Sequence, residues 1–271
     1  MATEKKQDAV NVVLSRDELV LVLSLLGVTT LPGLGGDPLG DLDAPRAAMS
    51  AVVAARGLRA RDLARVRAED GSLLVHVGVL GAVNACTAPD AALFVFHWAG
   101  EETEPQRWFG YRRGASCVVH RPLEDVLHRF TVLAASEQLV EQALATCQVQ
   151  ADEQPVDGVI DIKGSDFARL RQLAGTGAGD QALALLAAAA APPRLALALV
   201  KTLAASPQVS ILQLFTRAED GATHQQDFTL LQNGSALWLM TPVTDDAERV
   251  HIQSVARTHV YDVLLRGLAQ G

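Results

Sequence analysis

The chain repeats itself, and that repeat constrains its fold more than any other feature. "GASCVVHRPLED" (114–125) and "GSALWLMTPVTD" (234–245) share one frame: Gly, seven residues, Pro, two residues, Asp. At a constant shift of 120, residues 114–144 and 234–264 coincide at six positions. These are Gly114/Gly234, Pro122/Pro242, Asp125/Asp245, Arg129/Arg249, Val140/Val260 and Leu144/Leu264. After the shared arginine, Phe130-Thr-Val132 and Val250-His-Ile252 both read apolar–polar–apolar, the alternation of a strand.

The correspondence extends upstream. "ALFVFHW" (92–98) and "RWFGYR" (107–112) match "SILQLFT" (210–216) and "DFTLLQ" (227–232) as strand-like runs. Turn dipeptides such as Asp220-Gly221 and Asn233-Gly234 separate them, as hairpins require. Each half then closes with a helix, "SEQLVEQALA" or "RTHVYDVLLRGL". At the front, "NVVLSRDELVLVLSLLG" and "GVIDIKGSDFARLRQLAG" each read as strand, Ser or Asp cap, and a helix ended by Gly27 or Gly175. Helices "PRAAMSAVVAARGL" and "GDQALALLAAAA" follow, then "LLVHVGVLGAVNA" and "PRLALALVKTLAA". The extra residues of the first half fall in two loops, about 31–45 and 59–71.

A period this long is not that of a solenoid. It predicts an α+β fold of two pseudo-twofold-related halves, 11–150 and 155–271, with a central mostly antiparallel sheet flanked by helices. The polar linker 148–158 is short, so the two halves are expected to form a single domain, and residues 1–10 are read as a disordered N-terminus. The competing reading is two unrelated αβ segments that look alike because such patterns are common.

Composition narrows the function. The chain has 271 residues and a formal charge of −8, which disfavours nucleic acid or an anionic membrane as partner. No compact cluster of Lys and Arg is read as overriding that sign. Three scattered cysteines, Cys86, Cys117 and Cys147, form neither a disulfide framework nor a CxxC site, so a reducing cytoplasmic setting is expected. "MATEKKQDAV" has no apolar core of a secretory signal, and the run Ala182–Ala191 is too short to span a bilayer.

Reactive-looking residues resolve poorly into chemistry. On a strand, Cys117 and His120 point to opposite faces and cannot act as nucleophile and base. The second copy holds Leu237 and Met240 at those positions, so Cys117 reads as a small core residue. "LPGLGGDPLG" (31–40) and "GTGAGD" (175–180) lack the strand and the spacing of phosphate loops, and read as helix-to-helix connections. The seven histidines, His76, His97, His120, His128, His224, His251 and His259, show no metal-binding spacing and read as scattered surface and half-buried residues. No catalytic residue, metal or cofactor is assigned. An enzyme would need the fold to bring His97, Cys117 or His128 beside a carboxylate in a pocket. The hairpin tip "AGEETEPQR" (99–107) differs in kind: it is acidic, contains Pro105, and exceeds the matching turn at 217–224. It is either a solvated loop or a binding finger.

"SRDELVLVLSLLG", "VVAARGL" followed by "DGSLLVHVGVL", "LVKTLAASPQVSI" and "GSALWLMTPVTDDAERVHI" with its closing helix give the chain a recognisable layout. In that layout it resembles the EspG family of ESX (type VII) secretion-associated proteins. It departs from the family in the second meander, which reads "HQQDFTLLQ". The resemblance implies a cytosolic, non-enzymatic chaperone that binds the helical tip of a PE–PPE-like substrate and keeps it soluble for export. It also implies that Gly100, Glu101, Glu102, Thr103, Glu104, Pro105 and Gln106 form part of the binding surface. A cleft between the halves, lined by Leu, Val and Ala, would cover an apolar client helix. The alternative is a small-molecule-binding or regulatory α+β domain that uses the same cleft.

Overall fold

The structure is a computed structural model and describes residues 11–32, 34, 42–100, 104–124, 126–150, 154–243 and 246–270. Residues 1–10, Asp125 and Asp245 lie outside them, as does most of "LPGLGGDPLG". Among the described residues, ten strands form one antiparallel sheet in the order β1-β7-β6-β5-β4-β9-β10-β11-β12-β8, and β2 and β3 pair separately. Read inward from each end, the order is the same: a front strand, then the four meander strands in reverse. The fold class is therefore α+β with helices flanking a mostly antiparallel sheet.

The chain separates into two compact units. The first comprises residues up to Ala92 together with Arg107–Leu139. It opens with β1 (Asn11–Ser15) and α1 (Arg16–Leu25), then α2 (Ala44–Ala60). The hairpin β2 (Ala64–Val66) and β3 (Leu73–Val75) follows, then α3 (Val77–Thr87). The segment "LLVHVGVLGAVNA" thus divides at His76, whose Nδ1 accepts the Gly78 N–H at 3.1 Å and caps α3. The second expected loop, 59–71, holds the end of α2 and the strand β2. β5 (Gln106–Arg113), β6 (Ser116–Leu123) and β7 (Leu127–Leu133) complete the first meander.

Two glycine turns explain the repeated frame. Arg113 pairs with Ser116 across Gly114-Ala115, and Asn233 pairs with Ala236 across Gly234-Ser235. Gly114 has φ +56° and Gly234 has φ +57°, the left-handed region that two-residue hairpin loops require. The start of α1 carries a capping box. Ser15 Oγ accepts the Glu18 N–H at 3.2 Å, and Glu18 Oε2 accepts the Ser15 N–H at 2.8 Å. Arg61 donates to the same Glu18 oxygen at 2.5 Å, which satisfies a nearly buried carboxylate.

The second unit comprises Leu93–Gln106 and Val140 onward. It holds most of β4 (Ala91–Trp98) and the larger part of α4 (Ser136–Thr146), from Val140 on, then β8 (Ile160–Lys163), α5 (Gly164–Gly175), α6 (Gly179–Ala188) and α7 (Pro193–Ala204). The second meander is β9 (Gln208–Arg217), β10 (Thr223–Asn233), β11 (Ala236–Val243) and β12 (Asp246–Ser254), closed by α8 (Arg257–Gln270). Helix α5 ends at Gly175 as expected, and Gly177 (φ +79°) follows in the left-handed region. The expected Ser or Asp cap is absent, since Lys163 holds the N-cap position and no side chain caps the helix. "GTGAGD" does join two helices.

Alternation on each strand sends one side chain to each face. Trp238, Met240, Ile160, Ile162 and Ile252 share a core with α5–α7. Trp238 is buried there, and its Nε1 donates to Thr202 Oγ1 at 3.0 Å. On the other face α8 lies so close to β9 that Gly267 meets the side chain of Leu214. Burying each such Leu- or Phe-sized side chain stabilises the fold by about 1.5–3 kcal/mol.

Candidate functional site

The hairpin tip between β4 and β5 leaves the sheet after Trp98 and returns at Gln106. Gly100 is exposed with φ +83°, which lets the chain turn away from the strand direction. Glu104 and Gln106 are exposed and Pro105 is half-buried. Glu101, Glu102 and Thr103 lie outside the described residues. The corresponding tip, 218–222, is tighter. Ala218 N–H donates to Ala222 O at 2.8 Å, and Gly221, at φ +85°, donates to Ala218 O at 2.9 Å. The seven residues 99–105 against five at 218–222 agree with the longer first tip expected from sequence.

The cysteine and histidine of "GASCVVHRPLED" part company as their spacing requires. Cys117 is buried, its Sγ 3.7 Å from Ser136 Oγ, and burial raises its thiol pKa. His120 faces the other way, stacked on Phe130 with centroids 4.7 Å apart and on Phe109 at 5.6 Å. Its Nε2 lies 2.9 Å from His128 Nδ1, so one ring donates and the other accepts. Burial, then the neighbouring His128, lowers the His120 pKa to about 3. Burial, then Arg16, lowers that of His128 to about 4. Both rings are neutral at pH 7.

This pair corrects the expectation of scattered surface and half-buried histidines. His97, His120 and His128 are all buried. His97 Nδ1 lies 2.9 Å from Ser210 Oγ, and half-exposed His251 meets Asp161 at 2.6 Å. Among the described residues, Cys117 thus meets Ser136 and His128 meets His120. Among the described residues, no group of three His, Cys, Asp or Glu side chains is placed to hold a metal ion. The signal for the histidine pair lies in pairing register, since His120 sits opposite Phe130 and Pro122 opposite His128.

A groove of about 750 Å³ opens in the second unit over the ends of β9 and β10, lined by Thr216, His224, Gln226, Thr241 and His251. The C-terminal turn of α8 borders it at Gln270. Its lining mixes polar groups with the apolar Ala218, Phe228 and Pro242, and His251, paired with Asp161, reaches it.

Compared with known proteins, the chain matches a solved structure of the Mycobacterium tuberculosis type VII secretion system chaperone EspG5 in complex with a PE25-PPE41 dimer. The match has a TM-score of 0.63 and covers 96% of this chain and 95% of that one at 12% identity. The fold resembles that of EspG5. No protein-family model and no curated protein matches the sequence. The EspG-like layout inferred from the motifs is therefore carried by backbone arrangement, with little identity beneath it. Among the described residues, no helix is long and apolar enough to cross a membrane.

Proposed function

We propose that this chain is a non-enzymatic, cytoplasmic chaperone that binds a helical secretion substrate through protein–protein contacts. One observation carries the reading: over nearly its whole length the fold follows that of a chaperone solved in complex with a dimer. The β4–β5 tip is the surface proposed for the client, with Gly100, Glu101, Glu102, Thr103, Glu104, Pro105 and Gln106 at its edge. Its carboxylates steer a client that carries positive charge and set its orientation, which changes association rate more than final affinity. Coverage of an apolar helix supplies the affinity. No metal, nucleotide or covalent step enters.

Co-expression with helical secretion-type proteins encoded beside this chain tests the proposal. A stable one-to-one complex on size exclusion, with the client insoluble when expressed alone, is the expected result. Failure of every such protein to copurify removes the chaperone reading.

A further inference from the structure

Helix α2 presents a second face that stays exposed among the described residues. Its inward side, with Ala54 and Leu58 buried, packs on α1. Its outward side carries Met49, Val52 and Val53, which are 64%, 45% and 55% exposed. These three stand at i, i+3 and i+4, and exposed Arg56 and Arg59 continue the row at i+7 and i+10. This is the spacing of a seam that receives another helix.

The topologically equivalent helix provides an internal control. On α6 the outward positions are Asp180, Gln181, Ala184, Ala187 and Ala188, with no large apolar group and no arginine. The scaffold position therefore does not demand an apolar, basic stripe. Its charge is also local: Arg56, Arg59, Arg61, Arg65 and Arg67 fall within twelve residues of a chain whose net charge is −8. The whole-chain sum hides this cluster. Arg61 is held by Glu18 and Arg67 by Asp70. Arg56, Arg59 and Arg65 are exposed and form no ion pair among the described residues.

We infer that the outward face of α2 docks an acidic amphipathic helix of a partner protein. Met49, Val52 and Val53 would take its apolar stripe, and Arg56 and Arg59 would pair with its flanking carboxylates through their planar guanidinium groups. A second copy of this chain fits worse, because it brings the same arginines and the same net charge to the contact. Nucleic acid also fits worse, because the centre of the stripe is apolar. The surface lies apart in sequence from the β4–β5 tip, so the inference stands independently of the chaperone reading.

The test uses the full chain and a labelled 16-residue helical peptide with Leu at i, i+3, i+4 and i+7 and Glu on the flanks. A Lys-flanked peptide of the same pattern is the control, and binding is read by fluorescence anisotropy. The Glu-flanked peptide is expected to bind saturably and at least tenfold more tightly than the Lys-flanked one. V53D is expected to weaken it at least tenfold, and R56E/R59E to reverse the preference, each with a thermal midpoint close to the wild type because these side chains are exposed. Equal binding of both peptides, or binding unchanged in V53D and R56E/R59E, overturns the inference. So does a homodimer in sedimentation velocity that V53D dissolves, or short duplex DNA binding that R56E/R59E abolishes.

Discussion

Acidification should destabilise this protein through two histidines buried in its core. His120 and His128 are 0% and 3% exposed, and both have folded-state pKa values below the usual 6.5, at about 3 and about 4. A depressed histidine pKa means the unfolded chain binds the proton first. Stability is therefore complete above pH 6.5, falls as pH drops through that value, and goes on falling until the folded-state values are reached. The slope is about 1.4 kcal/mol per pH unit for each histidine. Between pH 7.5 and 5 one histidine costs about 2 kcal/mol and both together about 4, a large share of the 5–15 kcal/mol typical of a domain. The rings share one hydrogen bond and titrate as a pair, so the total is the meaningful quantity. Urea unfolding of the wild type and of H120F/H128L at pH 7.5, 6 and 5 measures it. The double variant should lose about 2–4 kcal/mol less than the wild type across that range. Parallel loss in the two proteins would refute the assignment of the acid sensitivity to this pair.

Glycine replacement should separate packing from propensity. A Cβ on Gly110 falls 2.5 Å from Trp108 Cη2 and 2.9 Å from Leu139 Cδ2, so G110V should destabilise by about 1–3 kcal/mol. Nothing lies within 4 Å of a Cβ on Gly81 inside α3, so G81A should stabilise by about 0.5–1 kcal/mol in the same denaturation assay. W238F removes the donor to Thr202 and part of a buried ring, and should cost about 1–3 kcal/mol by calorimetry. E101K/E102K/E104K should slow association with a captured helical client about tenfold at low salt in stopped-flow mixing, with the difference shrinking near 1 M salt. An unchanged rate would take the tip out of the binding surface.

Local patterns carried most of the secondary structure. The alternation in "ALFVFHW" and "SILQLFT", the Ser15–Glu18 capping box, and the glycines at 114 and 234 act over a few residues, where backbone sterics and hydrogen bonding decide the outcome. The repeated frame also led to the α+β class with a mostly antiparallel sheet, while the order of its strands stayed open. The opposite orientation of Cys117 and His120 followed from strand period alone.

Pairing and exposure were settled only in three dimensions. The His120–His128 contact is diagonal across β6 and β7, and its existence depends on the register set by the turn between them. Position along the chain shows two histidines eight apart, and only the folded register places them ring to ring. The face of α2 is a similar case. A helix with apolar residues on two sides does not say which side the core will take, and packing against α1 chose Ala54 and Leu58. That choice left Met49, Val52, Val53 and the arginines facing water.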